Sequence, residues 1–127
     1  MNPYLYQVAG ALEDPEATAH FYDKVLGCPI LGRFDPPGLL FVGLGTSRLM
    51  LQSGASPATL YVWPAAFDLT IADLERAGVA LEQRPQPVFE DASGQFGPPG
   101  ETEWMAFCRD PSGNLVGLVT RRPSEIA

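Results

Sequence analysis

The stretch that decides the fold lies near the start of the chain and reads Ala19-His20-Phe21-Tyr22-Asp23-Lys24-Val25-Leu26-Gly27. Phe21 and Val25 are separated by one turn, which is the spacing of apolar residues on one face of an α-helix. Upstream, Asp14 can cap the free amides of the first turn, and a proline follows it at the first helical position. Gly27 can adopt the left-handed conformation that ends many helices. We therefore predict a helix from Pro15 to Leu26.

Short strands surround this helix, and the same order of elements then repeats. Gly and Pro each occur 13 times, which is typical of a chain with many turns. The segments between turns predict strands over Tyr4–Ala11, Cys28–Phe34, Leu39–Leu44, Arg48–Gln52, Thr59–Trp63, Val79–Gln83, Glu103–Arg109 and Leu115–Thr120, and a second helix over Phe67–Ala77. We therefore expect one α+β domain of 127 residues. It consists of two βαβββ modules at residues 4–52 and 58–120, a linker at 53–57 and a loose tail at 121–127.

The composition is that of a globular protein, with 46% hydrophobic and 18% charged residues. The formal net charge of −7 repels phosphate backbones and anionic lipids, so we expect neither nucleic acid nor a membrane as a partner. Cys28 and Cys108 lack the spacing of a zinc site and lie among apolar neighbours, which favours buried free thiols. No secretory signal or membrane-spanning segment is visible in the sequence. We therefore expect a cytoplasmic protein.

The chain also ends its last predicted hairpin with a characteristic turn, Asp110-Pro111-Ser112-Gly113-Asn114. Asp110 can accept hydrogen bonds from its own turn, Pro111 fixes φ, and Gly113 can take the positive φ that closes the loop. We interpret this turn as structural, with no part in chemistry.

Four segments carry a family resemblance, and they occur in a fixed order. They are Ala19–Gly27, Phe41–Gly45 with Arg48–Leu51, Asp68–Leu74 with Gly78-Val79, and Trp104–Val116 with its turn. In this order and spacing they resemble the glyoxalase / bleomycin-resistance / extradiol-dioxygenase superfamily, also called vicinal oxygen chelate proteins. The resemblance covers about residues 4–120. It implies two modules whose sheets curl into a cup, and it implies a homodimer.

Enzymes of that superfamily typically hold a divalent metal inside the cup, on the first strand of each module and on the last strand. In this chain the resemblance puts those positions at Gln7, near Thr59 and at Gly117, with Gln52 as a further candidate. Divalent metals need several His, Cys or carboxylate ligands, and these residues offer only neutral amides. We therefore expect no metal and no other cofactor. The alternative that Glu103 or Glu90 supplies a carboxylate ligand from another position stays open.

The cup that the resemblance implies would instead present apolar and aromatic side chains with a few neutral polar groups, which is typical of a small-molecule site. Taking alternate residues on each strand, the predicted ligand-binding pocket consists of Gln7, Met50, Gln52, Thr59, Tyr61, Trp63, Trp104 and Gly117. Replacing a charged ligand by Gly117 should leave space for the ligand. The aromatic residues among them, together with Phe107, can equally be core or dimer contacts.

These expectations favour a metal-free protein that binds a small organic molecule in its cup, as bleomycin-resistance proteins sequester their drug. The alternative is a metal-dependent or metal-free lyase or isomerase with a relocated site. Its catalytic residues cannot be named, because a lone histidine, His20, offers no triad and Asp91 has no identifiable partner. A structural partner module, with a filled cup, is the third hypothesis.

Overall fold

Two four-stranded sheets and two helical segments make up the part of the chain that the computed structural model describes, residues 2–125. The chain divides into two compact units. Unit 1 contains the residues up to Leu60 together with Arg109–Leu115, and unit 2 contains Tyr61–Cys108 and the segment from Val116 onward. In each half of the chain, the four strands of one sheet and one helical segment follow one another in the order βαβββ. The predicted α+β class is therefore confirmed.

Unit 1 has a mixed sheet in which the first and last strands of the module are neighbours. The strand order is β1-β4-β3-β2, with β1 parallel to β4 and the other pairs antiparallel. The elements are β1 (Gln7–Ala11), α1 (Pro15–His20, continued by a π-helical turn at Phe21–Val25), β2 (Ile30–Phe34), β3 (Leu39–Leu44) and β4 (Ser47–Gln52).

The first helix forms where the sequence predicts it, but its second half is wider than an α-helix. Asp14 caps it as expected, since its Oδ1 accepts a hydrogen bond from the Ala17 N–H at 3.2 Å. From Phe21 onward the turn is π-helical, with the Leu26 N–H bonded to the Phe21 carbonyl at 3.1 Å. The wider turn accompanies the burial of two successive aromatic side chains, Phe21 and Tyr22.

The turn at Asp110–Asn114 belongs to unit 1 and joins distant parts of it through hydrogen bonds. Asp110 Oδ1 accepts from the backbone of Ser112 and of Asn114, both at 2.9 Å, which confirms the predicted turn. Asn114 Oδ1 also accepts from the Ala11 N–H at 3.0 Å and the Ala58 N–H at 2.8 Å. A single buried amide therefore fixes the end of β1 and the segment that precedes β5.

Unit 2 has its own four-stranded sheet, with strand order β5-β8-β7-β6. Its elements are β5 (Thr59–Val62, at the boundary with unit 1), α2 (Phe67–Arg76), β6 (Leu81–Asp91), β7 (Glu101–Arg109) and β8 (Leu115–Pro123). β6 is much longer than the predicted strand, and its pairing with β7 is interrupted by register shifts. None of the helices within residues 2–125 is long and apolar enough to cross a membrane.

The last strand also reaches into the segment that we expected to be a loose tail. β8 ends at Pro123, and the guanidinium group of Arg121 contacts three carboxylates, those of Asp91, Glu101 and Glu103, at 2.9–3.0 Å. Asp91 is buried, and these ion pairs hold residues 121–123 in the sheet. The expectation of a loose tail was therefore wrong for residues 121–123. Residues 126 and 127 of the expected tail lie outside the described part.

Candidate functional site

One face of the sheet in unit 1 is packed and the other is open. The strands alternate, so residues paired across them share a face. Leu40, Val42, Leu49 and Leu51 are fully buried and lie on the packed face. Every second residue of each strand lies on the open face. There Gln7 pairs with Arg48, and Met50 pairs with Ala9 and Phe41. Gln52 pairs with Ala11 and Leu39. The structure therefore brings three predicted site residues, Gln7, Met50 and Gln52, to one face.

Gln7 is held on this face by two side chains of β4, which use both ends of its amide. Its Oε1 accepts a hydrogen bond from Arg48 Nε at 2.7 Å, and its Nε2 donates to the sulfur of Met50 at 3.7 Å. This meets the expectation that a glutamine on an apolar strand finds polar partners. The carbonyl oxygen that the family resemblance assigns to a metal is therefore bonded to a cation of the protein itself.

Aromatic rings surround the guanidinium group of Arg48. Its central carbon lies 4.7 Å from the ring centroid of Tyr6 and 5.1 Å from that of Phe41, within the range of cation–π attraction. The ring of Phe34 packs edge-on against Phe41, with the centroids 5.8 Å apart. The rings and the hydrogen bond to Gln7 restrict the orientation of the guanidinium group.

Two adjoining hollows open beside this arginine. One has a volume of about 310 Å³ and includes Tyr6, Leu31 and Arg48 in its lining, and the other, of about 260 Å³, is lined by Leu31, Phe34, Phe41 and Arg48 with Gly32. We call these two hollows together the Arg48 cleft. Arg48 is the charged residue in both linings, whose other members are apolar or neutral. An apolar, aromatic hollow with few polar groups is the usual composition of a small-molecule site.

The predicted pocket residues in unit 2 do not form one site. Tyr61 and Gly117 do lie together, because a β-carbon added to Gly117 would come within 3.0 Å of Tyr61 Cδ1 and 2.8 Å of Phe107 Cε1. Gly117 is buried under these two rings, whose centroids are 5.9 Å apart. The expectation that Gly117 leaves space for a ligand was therefore wrong, since aromatic side chains fill that space.

Trp104 lies elsewhere in unit 2. Along β7, Trp104 lies on the face opposite to Phe107 and on the same face as the fully buried Ala106 and Cys108. The guanidinium carbon of Arg122 lies 4.9 Å from its ring centroid and 5.7 Å from that of Phe67 in α2. The structure therefore places Trp104 on the helix-bearing face, away from Tyr61 and Gly117.

The remaining two predicted residues are exposed. Trp63 follows β5 and leaves 61% of its surface accessible. Thr59 begins β5 and is exposed as well. No hydrogen bond or ion pair in the described structure gives either side chain a role in a site.

The residues at the inherited metal positions do not fit a divalent ion. The carbonyl of Gln7 is bonded to Arg48, and a carboxylate in place of Gly117 would meet two rings. Within residues 2–125, no group of three or more His, Cys, Asp or Glu side chains is arranged to hold a metal. Of the relocated candidates, Glu103 is bonded to Arg121 at 3.0 Å and Glu90 is exposed.

Asp91, the other acidic candidate, is not suited to act as a base. Burial by itself would raise the pKa of Asp91, but hydrogen bonds from Phe96, Arg121 and Gln95 outweigh that effect and lower the pKa to about 2. A carboxylate with so low a pKa holds a proton poorly at neutral pH. It serves to anchor the residues that follow β6.

Sequence reasoning missed Arg48, Tyr6 and Phe41 as site residues. The sequence could have predicted Arg48, because alternate residues of a strand share a face and Arg48, Met50 and Gln52 are alternate residues of β4. Phe41 pairs with Met50 across β3 and β4, and this register is a property of the folded sheet. Tyr6 precedes β1 and reaches the arginine because its carbonyl accepts from the Arg48 N–H at 3.0 Å.

Comparison with known proteins adds evidence on the fold. No family model and no curated protein sequence matches the chain. Among solved structures, it is similar to a lactoylglutathione lyase from Agrobacterium tumefaciens (18% identity, TM-score 0.68, 93% of each chain). It is also similar to TnmS3, an antibiotic binding protein from Streptomyces sp. CB03234 (22% identity, TM-score 0.67, 92% of this chain and 94% of the other).

A third similar structure carries the superfamily's own name. It is the glyoxalase/bleomycin resistance protein/dioxygenase from Alicyclobacillus acidocaldarius, at 18% identity and a TM-score of 0.65 over 91% of this chain and 89% of the other. The two βαβββ units, the motif order and these likenesses agree. The chain therefore has the fold of the glyoxalase / bleomycin-resistance / dioxygenase superfamily.

Proposed function

We propose that this protein binds a small organic molecule in the Arg48 cleft, on the open face of the first sheet, without a metal ion. The observation that carries the proposal is the hydrogen bond of 2.7 Å from Arg48 Nε to Gln7 Oε1. It places a protein cation on the atom that would otherwise be a metal ligand, and it leaves a cleft lined by aromatic rings. The likeness in fold to an antibiotic binding protein supports the same proposal.

The size of the cleft limits the ligand. Hollows of about 310 and 260 Å³ lie at and just below the lower limit of the range for ligand sites, roughly 300–1,000 Å³. A molecule with one or two rings fits this space better than a large drug. Stacking and edge-on contacts with Phe41, Phe34 and Tyr6 would supply most of the binding free energy, because aromatic side chains bury a large apolar area.

The experiment that tests this proposal uses a neutral aromatic probe, 2-naphthamide, with protein purified without chelator. Elemental analysis should find no stoichiometric metal, and isothermal titration calorimetry should give the same affinity with and without EDTA. Phe41→Ala should weaken binding at least about fivefold, because a ring that lines the cleft is lost. Phe96→Ala, at an exposed ring of unit 2, is the matched control and should leave the affinity unchanged.

Either of two results would overturn the proposal. One equivalent of tightly held metal would favour the metal-dependent lyase or isomerase instead, since the metal would then be held by ligands other than Gln7, Thr59 and Gly117. Equal effects of Phe41→Ala and Phe96→Ala would show that the probe binds elsewhere.

The oligomeric state is part of this proposal. We propose a homodimer, supported by large apolar side chains outside the Arg48 cleft that are more than half exposed, such as Tyr4, Leu5, Trp63 and Leu69. Exposed apolar surface of this kind commonly marks a protein interface. Light scattering should give twice the mass of one chain, and a monomeric mass would refute the dimer.

A cytoplasmic location is proposed on the state of the cysteines. Cys28 and Cys108 are both buried and form no disulfide, and burial raises the pKa of the Cys28 thiol, which makes it less reactive. Cysteines that form no disulfide are typical of a protein that works in a reducing compartment. Fractionation of the cells that produce the protein would test this.

A further inference from the structure

We infer that Arg48 binds the carboxylate of the ligand, so that the Arg48 cleft selects small aromatic carboxylates over neutral aromatic molecules of the same shape. This inference rests on the proposed function, because it assigns the ligand's chemical class at the same cleft. It concerns charge selectivity, which the proposed function leaves open.

The first argument is the unusual partner of this arginine. Other cationic side chains form ion pairs with carboxylates, among them Lys24, Arg33, Arg76, Arg84, Arg121 and Arg122. Arg48 is hydrogen-bonded to the neutral amide of Gln7 instead, and no carboxylate within residues 2–125 forms an ion pair with it. Its positive charge is therefore not neutralised by the described part of the protein.

The second argument is the geometry of the guanidinium group. Arg48 Nε is used by Gln7, and the terminal nitrogens Nη1 and Nη2 make no hydrogen bond within the described residues. These two nitrogens form the planar fork that pairs with a carboxylate through two parallel hydrogen bonds. Because Nε is fixed by Gln7 and the plane lies over the Tyr6 and Phe41 rings, the fork is held in place before a ligand binds.

The third argument is the shape of the cleft around that fork. Arg48 and Leu31 line both hollows, and neither lining contains an acidic side chain. A ligand whose carboxylate meets Arg48 can place its ring against Leu31, Phe34 or Phe41. The cleft can therefore hold a ligand's carboxylate at Arg48 and its apolar ring against the neighbouring apolar side chains.

The net charge of −7 acts against an anionic ligand only at long range. At physiological salt the Debye length is about 8 Å, so most of the surface charge is screened from a ligand in the cleft. The local charge of Arg48 dominates at contact. The general acidity of the chain therefore slows the approach of an anion more than it weakens the bound state.

The test compares two probes of the same shape, 2-naphthoate and 2-naphthamide, by isothermal titration calorimetry at pH 7. The wild-type protein should bind the carboxylate at least about tenfold more tightly, the lower end expected for hydrogen bonds between charged partners. This comparison needs no variant, so it stands even if a substitution disturbs folding. Equal affinities would overturn the inference, and binding of the neutral amide would leave the proposed function intact.

Variants locate the effect. Arg48→Gln should abolish the preference for the carboxylate, because the charged contact with the carboxylate is removed. Arg33→Gln, at an exposed arginine of β2 paired with Glu16, is the matched control and should keep the preference. A preference that survives Arg48→Gln would overturn the inference, and failure of both probes to bind would overturn the proposed function with it.

Discussion

Replacing Tyr22 by Phe removes one hydroxyl group from the interior of unit 1 and leaves the ring in place. Tyr22 is fully buried in the π-helical turn, and its hydroxyl donates to Asp110 Oδ2 at 2.6 Å. Asp110 is 3% exposed and also accepts from the Ser112 backbone and from the backbone and side chain of Asn114 at 2.8–2.9 Å. The substitution therefore takes away one of these donors from a buried carboxylate and creates no large cavity.

The expected loss follows from these contacts. A hydrogen bond to a charged group contributes about 1.5–3 kcal/mol, and the buried carboxylate left behind loses that donor. In a protein of 127 residues, each kcal/mol shifts the melting temperature by about 4 °C. We therefore expect Tyr22→Phe to melt about 6–12 °C below the wild type at pH 7.

Differential scanning calorimetry measures this change, with Tyr61→Phe as the matched control. Tyr61 is 63% exposed, so losing its hydroxyl should shift the melting temperature by less than about 1 °C. In the background of Asp110→Asn, Tyr22→Phe should cost less than it does alone, because the two side chains share one interaction. A shift for Tyr22→Phe as small as that of the control would refute the reasoning.

Two further predictions concern unit 2. The pKa of Asp91 is lowered to about 2 in the folded state, so the ionised group contributes stability above its unfolded pKa of about 4, and this contribution is lost as the pH falls toward 2. In urea unfolding, Asp91→Asn should therefore differ from the wild type most at pH 5–7 and least near pH 2. The exposed control Asp68→Asn should show little change. A constant difference for Asp91→Asn would contradict this. Gly117→Glu should lower the melting temperature without giving any stabilisation by added divalent ions, because its β-carbon would lie 2.8 Å from Phe107 Cε1; an increase in melting temperature with Zn²⁺ or Mn²⁺ would contradict it.

The main features of the fold could be predicted from local patterns. The helical spacing of Phe21 and Val25 and the capping by Asp14 are properties of a few neighbouring residues. The turn at Asp110–Asn114 is equally local, since Asp110 bonds to its own turn. The order βαβββ, repeated once, followed from these elements.

Bounds that depend on distant contacts were predicted less well. The last strand reaches Pro123 because Arg121 meets carboxylates from β6 and β7, which lie 18–30 residues earlier in the chain. The π-helical turn at Phe21 accompanies burial of Phe21 and Tyr22 together, and helical periodicity alone does not contain that information. In both cases the competing effect is tertiary packing.

The sequence by itself determined that this chain has two βαβββ units. It also placed Met50 and Gln52 on one face of their strand, because side chains alternate along a strand. Only the tertiary structure decided what surrounds them. The register of β1 against β4 sets Arg48 beside Gln7, 41 residues away, and the packing of Phe107 and Tyr61 fills the space at Gly117. Contacts of this kind arise from pairing and packing between distant segments, for which no local pattern carries a signal.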